Sequence, residues 1–148
     1  MGRYKGRLIV AEDEALVALG IQLMLTDAGH EVCGVASTAP ESVRLAEMHA
    51  PDLALVDVRL AHGTDGLAAV SKLQAHLGIP SLLVTAHASY AEAHAAGALG
   101  WLRKPFSPDE LIRIVDAALA WLHDGLVEVP VPQGLILSHW PSRRQYRH

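Results

Sequence analysis

The sequence predicts an α/β domain, a five-stranded parallel sheet with helices on both faces. Three observations carry that expectation. Five short apolar runs alternate with five helical segments in the order βαβαβαβαβα, the pattern that crossover helices impose on parallel strands. The central run, Leu53 to Val56, is apolar throughout, as a strand buried on both faces is. Gly29, Gly78 and Gly97 each follow a helical segment, where left-handed backbone stops a helix and glycine adopts it without strain. With 148 residues, 51% hydrophobic and 19% charged, the chain has material for one core and one domain.

The elements follow in order. Leu8 to Ala11 is the first strand and runs into Glu12, Asp13 and Glu14. Residues 15 to 28 form the first helix. Val17, Ile21, Met24 and Ala28 make its core stripe, and Leu16, Leu19 and Leu23 a second apolar stripe beside it. A sheet-covering helix should be polar there, so the second stripe is a candidate partner surface. Glu31 to Ala36 is the second strand, and Pro40 to His49 the second helix, with Ser37 or Thr38 near its cap. Leu53 to Val56 is the third strand and ends on Asp57. Gly66 to Leu77 is a helix, Ser81 to Thr85 the fourth strand, Ser89 to Ala96 a short helix and Leu99 to Leu102 the fifth strand. Ser107-Pro108-Asp109-Glu110 opens the last helix with a capping box and proline at the first helical position. That helix runs to about Leu122.

Residues 123–148 form a C-terminal extension to a domain of residues 7–122, too short for a second domain and without an output domain. Pro130 and Pro132 exclude a central strand there, while Leu126 to Val131 has the apolar and acidic character of an edge strand. It either folds back on its own domain or crosses to a second copy. The expectation is a homodimer through this arm or through the first helix.

Several function classes are disfavoured. A net charge of −4 gives no electrostatic case for nucleic acid. No apolar run reaches membrane-spanning length. Cys33 is the single cysteine, which fits a reducing compartment, the cytoplasm, and it reads as a small strand residue. No glycine-rich nucleotide-binding pattern occurs. The nine histidines lack metal-ligand spacing; His87 and Arg59, two residues beyond Thr85 and Asp57, are candidates for a pocket entrance, and the rest read as surface residues.

Glu12, Asp13, Asp57, Thr85 and Lys104 stand at strand C-terminal ends. In a parallel sheet those ends share one edge, where open α/β sheets place their sites. Clustered carboxylates need a cation, and an all-oxygen set suits Mg²⁺. Asp57 is then a nucleophile for a phosphoryl group, forming an acyl phosphate. Lys104 supplies positive charge, and the Thr85 hydroxyl a hydrogen bond to a phosphoryl oxygen.

Glu12-Asp13, Asp57, Thr85-Ala86 and Lys104-Pro105-Phe106, each after its strand, resemble the receiver domain of bacterial two-component response regulators over roughly residues 7 to 122. The resemblance implies a flavodoxin-like fold with strand order 2-1-3-4-5. It implies a phosphoprotein, not an enzyme, that takes its phosphoryl group on Asp57 from a sensor histidine kinase and signals to a downstream protein of unknown identity. Phosphorelay intermediate and phosphorylation-independent adaptor are the alternatives. It implies Mg²⁺, or Mn²⁺ in its place, held by Asp13, Asp57 and the Arg59 backbone carbonyl, with Glu12 acting through a water. It implies a cis Lys104-Pro105 peptide and a switch pair of Thr85 and Trp101.

The chain departs from the family pattern in three places. The loop from Asp57 to Gly66 is longer by a residue, with Ala61 where proline is usual. The stretch from Thr85 to Lys104 is shorter by about one helical turn, which predicts a stunted fourth helix and argues against the usual dimer through it. Trp101 replaces the usual tyrosine or phenylalanine. A phosphohydrolase of the haloacid dehalogenase type would need a second acid two residues after the nucleophile, and Arg59 stands there.

Overall fold

A computed structural model describes residues 4–86, 89–126 and 131–136. The elements run β1 Arg7–Ala11, α1 Ala15–Asp27, β2 Glu31–Ala36, α2 Ala39–His49, β3 Leu53–Val56, α3 Gly66–Lys72, β4 Ser81–Thr85, α4 Tyr90–Ala96, β5 Gly100–Arg103 and α5 Pro108–Asp124. All strand pairs are parallel, in the order β2-β1-β3-β4-β5. This is the predicted flavodoxin-like architecture. No described helix is long and apolar enough to cross a membrane.

The sheet divides two apolar layers. Ile9, Ala54, Val56 and Leu83 face one, with Val70, Leu73 and Ala93 from the helices. Leu8, Val10, Leu55 and Leu82 face the other, with Ile21, Leu25, Leu111 and Ile114. Alternate residues of each strand thus point to opposite faces and both are covered, which is why the runs show no polar alternation. The helix α5 buries Leu111, Ile114, Val115, Ala118 and Leu119, the spacing of one helical face. At about 1.5–3 kcal/mol for each large side chain fully buried, this stripe anchors the helix firmly.

Local signals set the boundaries. Thr38 caps α2 by accepting from the Glu41 amide at 3.2 Å. The Ser107–Glu110 capping box forms as read, and a second box, Ser89–Glu92, opens α4. The helix α4 is only seven residues long, as the short spacing predicts. The helix read as Gly66–Leu77 is α-helical to Lys72 and closes with a π-helical segment, Leu73–Leu77. Gly66 fits tightly against the nucleophile's own peptide: a Cβ there would lie 1.8 Å from the Asp57 carbonyl oxygen. The lengthened loop makes a 3₁₀ turn over Ala61–Gly63, with His62 left-handed at φ 59°.

Four expectations need correction. The core stripe of α1 is Ala18, Ile21 and Leu25, with Val17 and Met24 flanking it. Ala28 belongs to the cap rather than the stripe. The fifth strand is shifted by one residue to Gly100–Arg103, and α5 continues past Leu122 to Asp124. His30 is no surface residue: it is 4% exposed. Its Nδ1 accepts from the Gly6 amide at 3.0 Å and its Nε2 lies 3.1 Å from Asp116 Oδ1. The ring thereby ties β1, the start of β2 and α5 together at the sheet edge away from Asp57.

Part of the tail folds back on its own domain, one of the two arrangements expected. Residues 131–136 lie on their own domain, where Leu135 bridges Gly100 in antiparallel fashion and Ile136 is buried. Residues 127–130, most of the predicted edge strand, lie outside the described residues.

Candidate active site

The C-terminal ends of β1, β3, β4 and β5 bring the predicted polar groups to one edge. The β1 strand delivers Glu12, 3% exposed, and the exposed Asp13; β3 delivers Asp57, 8% exposed; β4 ends on Thr85, 1% exposed. One oxygen each from Glu12, Asp13 and Asp57 lies within 4.8 Å of the others. That is a compact oxygen-only donor set with one open, solvent-facing member, a fit to Mg²⁺, which keeps part of its water shell.

Lys104 follows β5 on a chain fixed by its amide, which donates to the Thr85 carbonyl at 3.1 Å. The Lys104–Pro105 peptide is cis, as expected. The Lys104 ammonium donates to Asp57 Oδ2 at 2.9 Å and also to Glu12 Oε1. The Lys104 ammonium thus joins the two buried carboxylates. On the other side of Asp57, the Arg59 amide donates to Oδ1 at 3.3 Å.

These contacts set the charges. Burial pushes the Asp57 carboxyl up, but hydrogen bonding and charge from Lys104, with help from Thr85 and the Arg59 amide, outweigh it and hold the carboxyl below its ordinary value. Burial dominates at Glu12 and, with the Asp57 charge, raises its carboxyl despite Lys104. Burial pulls the Lys104 ammonium down, but the two carboxylates more than compensate and raise it. Asp57 is therefore ionised and Lys104 charged near neutral pH: an anionic nucleophile with a cation already beside it.

Trp101, read as the switch aromatic, lies on β5 in register with Leu83. It is half-buried and packs on the apolar layer that contains Leu83 and Ile136. Its Nε1 is buried and has no acceptor among the described residues, a feature that costs about 1–3 kcal/mol. Thr85 and Trp101 are thus on adjacent strands. Arg59 is exposed and His87 lies outside the described residues. Leu16, Leu19 and Leu23 are 84%, 49% and 56% exposed, so no described residue of the tail covers them.

Comparison with known proteins agrees with this geometry. The response regulator receiver domain family matches residues 8–116. The transcriptional regulatory protein PdtaR of Mycobacterium tuberculosis is 37% identical over 117 residues, covering 77% of this chain and 57% of that protein. The phyllosphere-induced regulator PhyR of Methylorubrum extorquens is 34% identical, covering 76% of this chain and 43% of that protein. The chain therefore spans about half the length of these relatives. The signal receiver domain of a modulated diguanylate cyclase from Desulfovibrio desulfuricans superimposes with a TM-score of 0.72 at 29% identity, over 78% of this chain and 94% of that one. The described chain ends its strands with the same acids, hydroxyl and lysine that prompted the resemblance, and it belongs to the response regulator receiver domain family.

Proposed function

We propose that the protein accepts a phosphoryl group on Asp57 from the phosphohistidine of a sensor histidine kinase and reports that state by contact with another protein. The observation that supports this reading is the Lys104 ammonium, 2.9 Å from an Asp57 oxygen, within a cluster that also holds Glu12 and Asp13. An Asp57 oxygen attacks phosphorus, the P–N bond of the donor breaks, and the imidazole leaves as the carboxylate becomes an acyl phosphate. Asp57 needs no general base, because its carboxyl is held below its ordinary value. The Lys104 ammonium and the Thr85 hydroxyl each offer a donor to an equatorial phosphoryl oxygen.

Asp13, Asp57 and the Arg59 carbonyl would hold Mg²⁺, or Mn²⁺, with Glu12 acting through a water. When bound, the ion neutralises charge on the phosphoryl oxygens. The exposed apolar stripe Leu16, Leu19 and Leu23 borders the same edge through the β1–α1 turn, and is the surface offered to the kinase's helices. Domain limits of about 7–122 are consistent with the family match to residues 8–116.

Incubation with a small acyl phosphate and Mg²⁺, followed by mass spectrometry, tests the site. One phosphoryl group on the unmodified chain and none on Asp57→Asn is the expected result. An unlabelled Asp57 would instead support a receiver-shaped adaptor that works without phosphorylation. Transfer from a panel of histidine kinases then identifies the donor by rate.

A further inference from the structure

The strand β5 ends the sheet order β2-β1-β3-β4-β5, and an open edge offers unpaired amides and carbonyls. Residues 131–136 cover it. The Ile136 amide donates to the Leu99 carbonyl at 2.6 Å, and the Trp101 amide donates to the Gly134 carbonyl at 3.0 Å. Ile136 is 3% exposed. Two glycines permit the approach. Gly134 has φ +96°, and a Cβ there would lie 2.1 Å from the Trp101 carbonyl oxygen. A Cβ on Gly100 would lie 2.7 Å from the Gly134 carbonyl oxygen. Such a fit distinguishes this segment from a tail resting on a surface.

The segment grips the residue read as the switch. The Trp101 ring and Ile136 belong to the same apolar layer. The ring's Nε1 is buried without an acceptor among the described residues. Three residues beyond Trp101 the same run of chain delivers Lys104, whose ammonium lies 2.9 Å from Asp57 Oδ2. The attached segment, the packed indole and the lysine beside Asp57 therefore lie along one run of chain.

We propose that residues 131–136 form an intramolecular brace that holds Trp101 in its half-buried packing, so that attachment of the brace and a phosphoryl group on Asp57 favour each other. This rests on the phosphoacceptor reading given above. The coupling is reciprocal: a released brace weakens binding of a phosphoryl mimic at Asp57, and the mimic tightens the brace.

The full-length chain tests this with Gly134→Ala and, separately, Ile136→Ser. Neither residue belongs to the phosphoryl site. Amide hydrogen exchange at Ile136 and Trp101 reads attachment, and the Val56 amide in the central sheet reads whether the variant keeps its fold. Calorimetry with beryllofluoride and Mg²⁺ reads the site. Both variants should exchange faster at Ile136 and Trp101 while Val56 stays protected, and should bind beryllofluoride about five-fold or more weakly. In the unmodified chain beryllofluoride should slow exchange at both amides. Unchanged exchange in both variants overturns the brace. A released segment with unchanged or tighter beryllofluoride binding overturns the coupling. An unmodified chain that binds no beryllofluoride overturns the phosphoacceptor reading and the coupling with it, while the exchange data still decide whether the segment is held.

Discussion

Gly66→Ala isolates the join between the nucleophile and the helix that follows it. A Cβ at this position would stand 1.8 Å from the Asp57 carbonyl oxygen, 2.7 Å from its carbonyl carbon and 2.9 Å from Val58 Cα. Ordinary van der Waals contact begins at 3.4 Å, so the two backbones must part by about 1.6 Å. No flexible side chain is present to yield, because all three atoms are main chain. The Gly66 amide also donates to the Val58 carbonyl at 2.8 Å, and separation stretches that bond as well. Overpacking of this kind costs about 3 kcal/mol, the upper part of its usual range. For a chain of this size that lowers Tm by roughly 6–12 °C. The Asp57 carboxylate moves with its peptide, so labelling by a small acyl phosphate should fall more than stability does. Gly20→Ala is the control. Gly20 lies inside α1 with nothing within 4 Å of a Cβ, so alanine should stabilise by up to about 1 kcal/mol. Thermal melting and labelling rate measure both variants. A Gly66→Ala melting temperature within about 2 °C of the unmodified chain would refute the close-approach reasoning.

Three further outcomes are expected. Burial and the Asp57 charge raise the Glu12 carboxyl above 4.5, so the folded form holds this proton more tightly than the unfolded one. The stability Glu12 contributes is then greatest below 4.5 and is lost as pH rises through the raised value. Calorimetry should accordingly show Mg²⁺ binding weaken as pH falls toward the raised Glu12 value, with the dependence reduced in Glu12→Gln. His30→Ala removes the acceptor of the Gly6 amide and the partner of Asp116. It should destabilise by about 2–4 kcal/mol in urea unfolding while Asp57 labelling persists, and a change under about 0.5 kcal/mol would contradict the buried bonding. Replacing the exposed Leu16 and Leu19 by serine should leave stability within about 0.5 kcal/mol but slow transfer from a kinase relative to a small acyl phosphate. Equal slowing with both donors would place the defect in the site and not at the docking surface.

Much of the site was legible because a parallel sheet converts sequence order into position. Once Leu8–Ala11, Leu53–Val56, Ser81–Thr85 and the run around Trp101 are strands, topology alone sends Glu12, Asp13, Asp57, Thr85 and Lys104 to one edge. The short α4 was equally legible, since residue count fixes how many turns fit between Thr85 and Lys104. The inner face of α1 was not read correctly. Nearly every residue from Ala15 to Leu25 is apolar, so periodicity could not say whether Val17 or Ala18 faces the sheet, and packing chose Ala18, Ile21 and Leu25.

The sequence by itself determined the fold class, the strand order through the family resemblance, and the membership of the polar cluster. Those depend on local pattern and on chain order. Tertiary structure alone decided which groups touch. Lys104 pairs with both Glu12 and Asp57, residues 92 and 47 positions away. His30 is buried by contacts from Gly6 and Asp116, and no signal near His30 distinguishes it from the exposed histidines. The tail returns to β5 because Gly100 and Gly134 leave room for two backbones to meet. Glycine in a strand and glycine in a tail look alike until the fold sets them against each other.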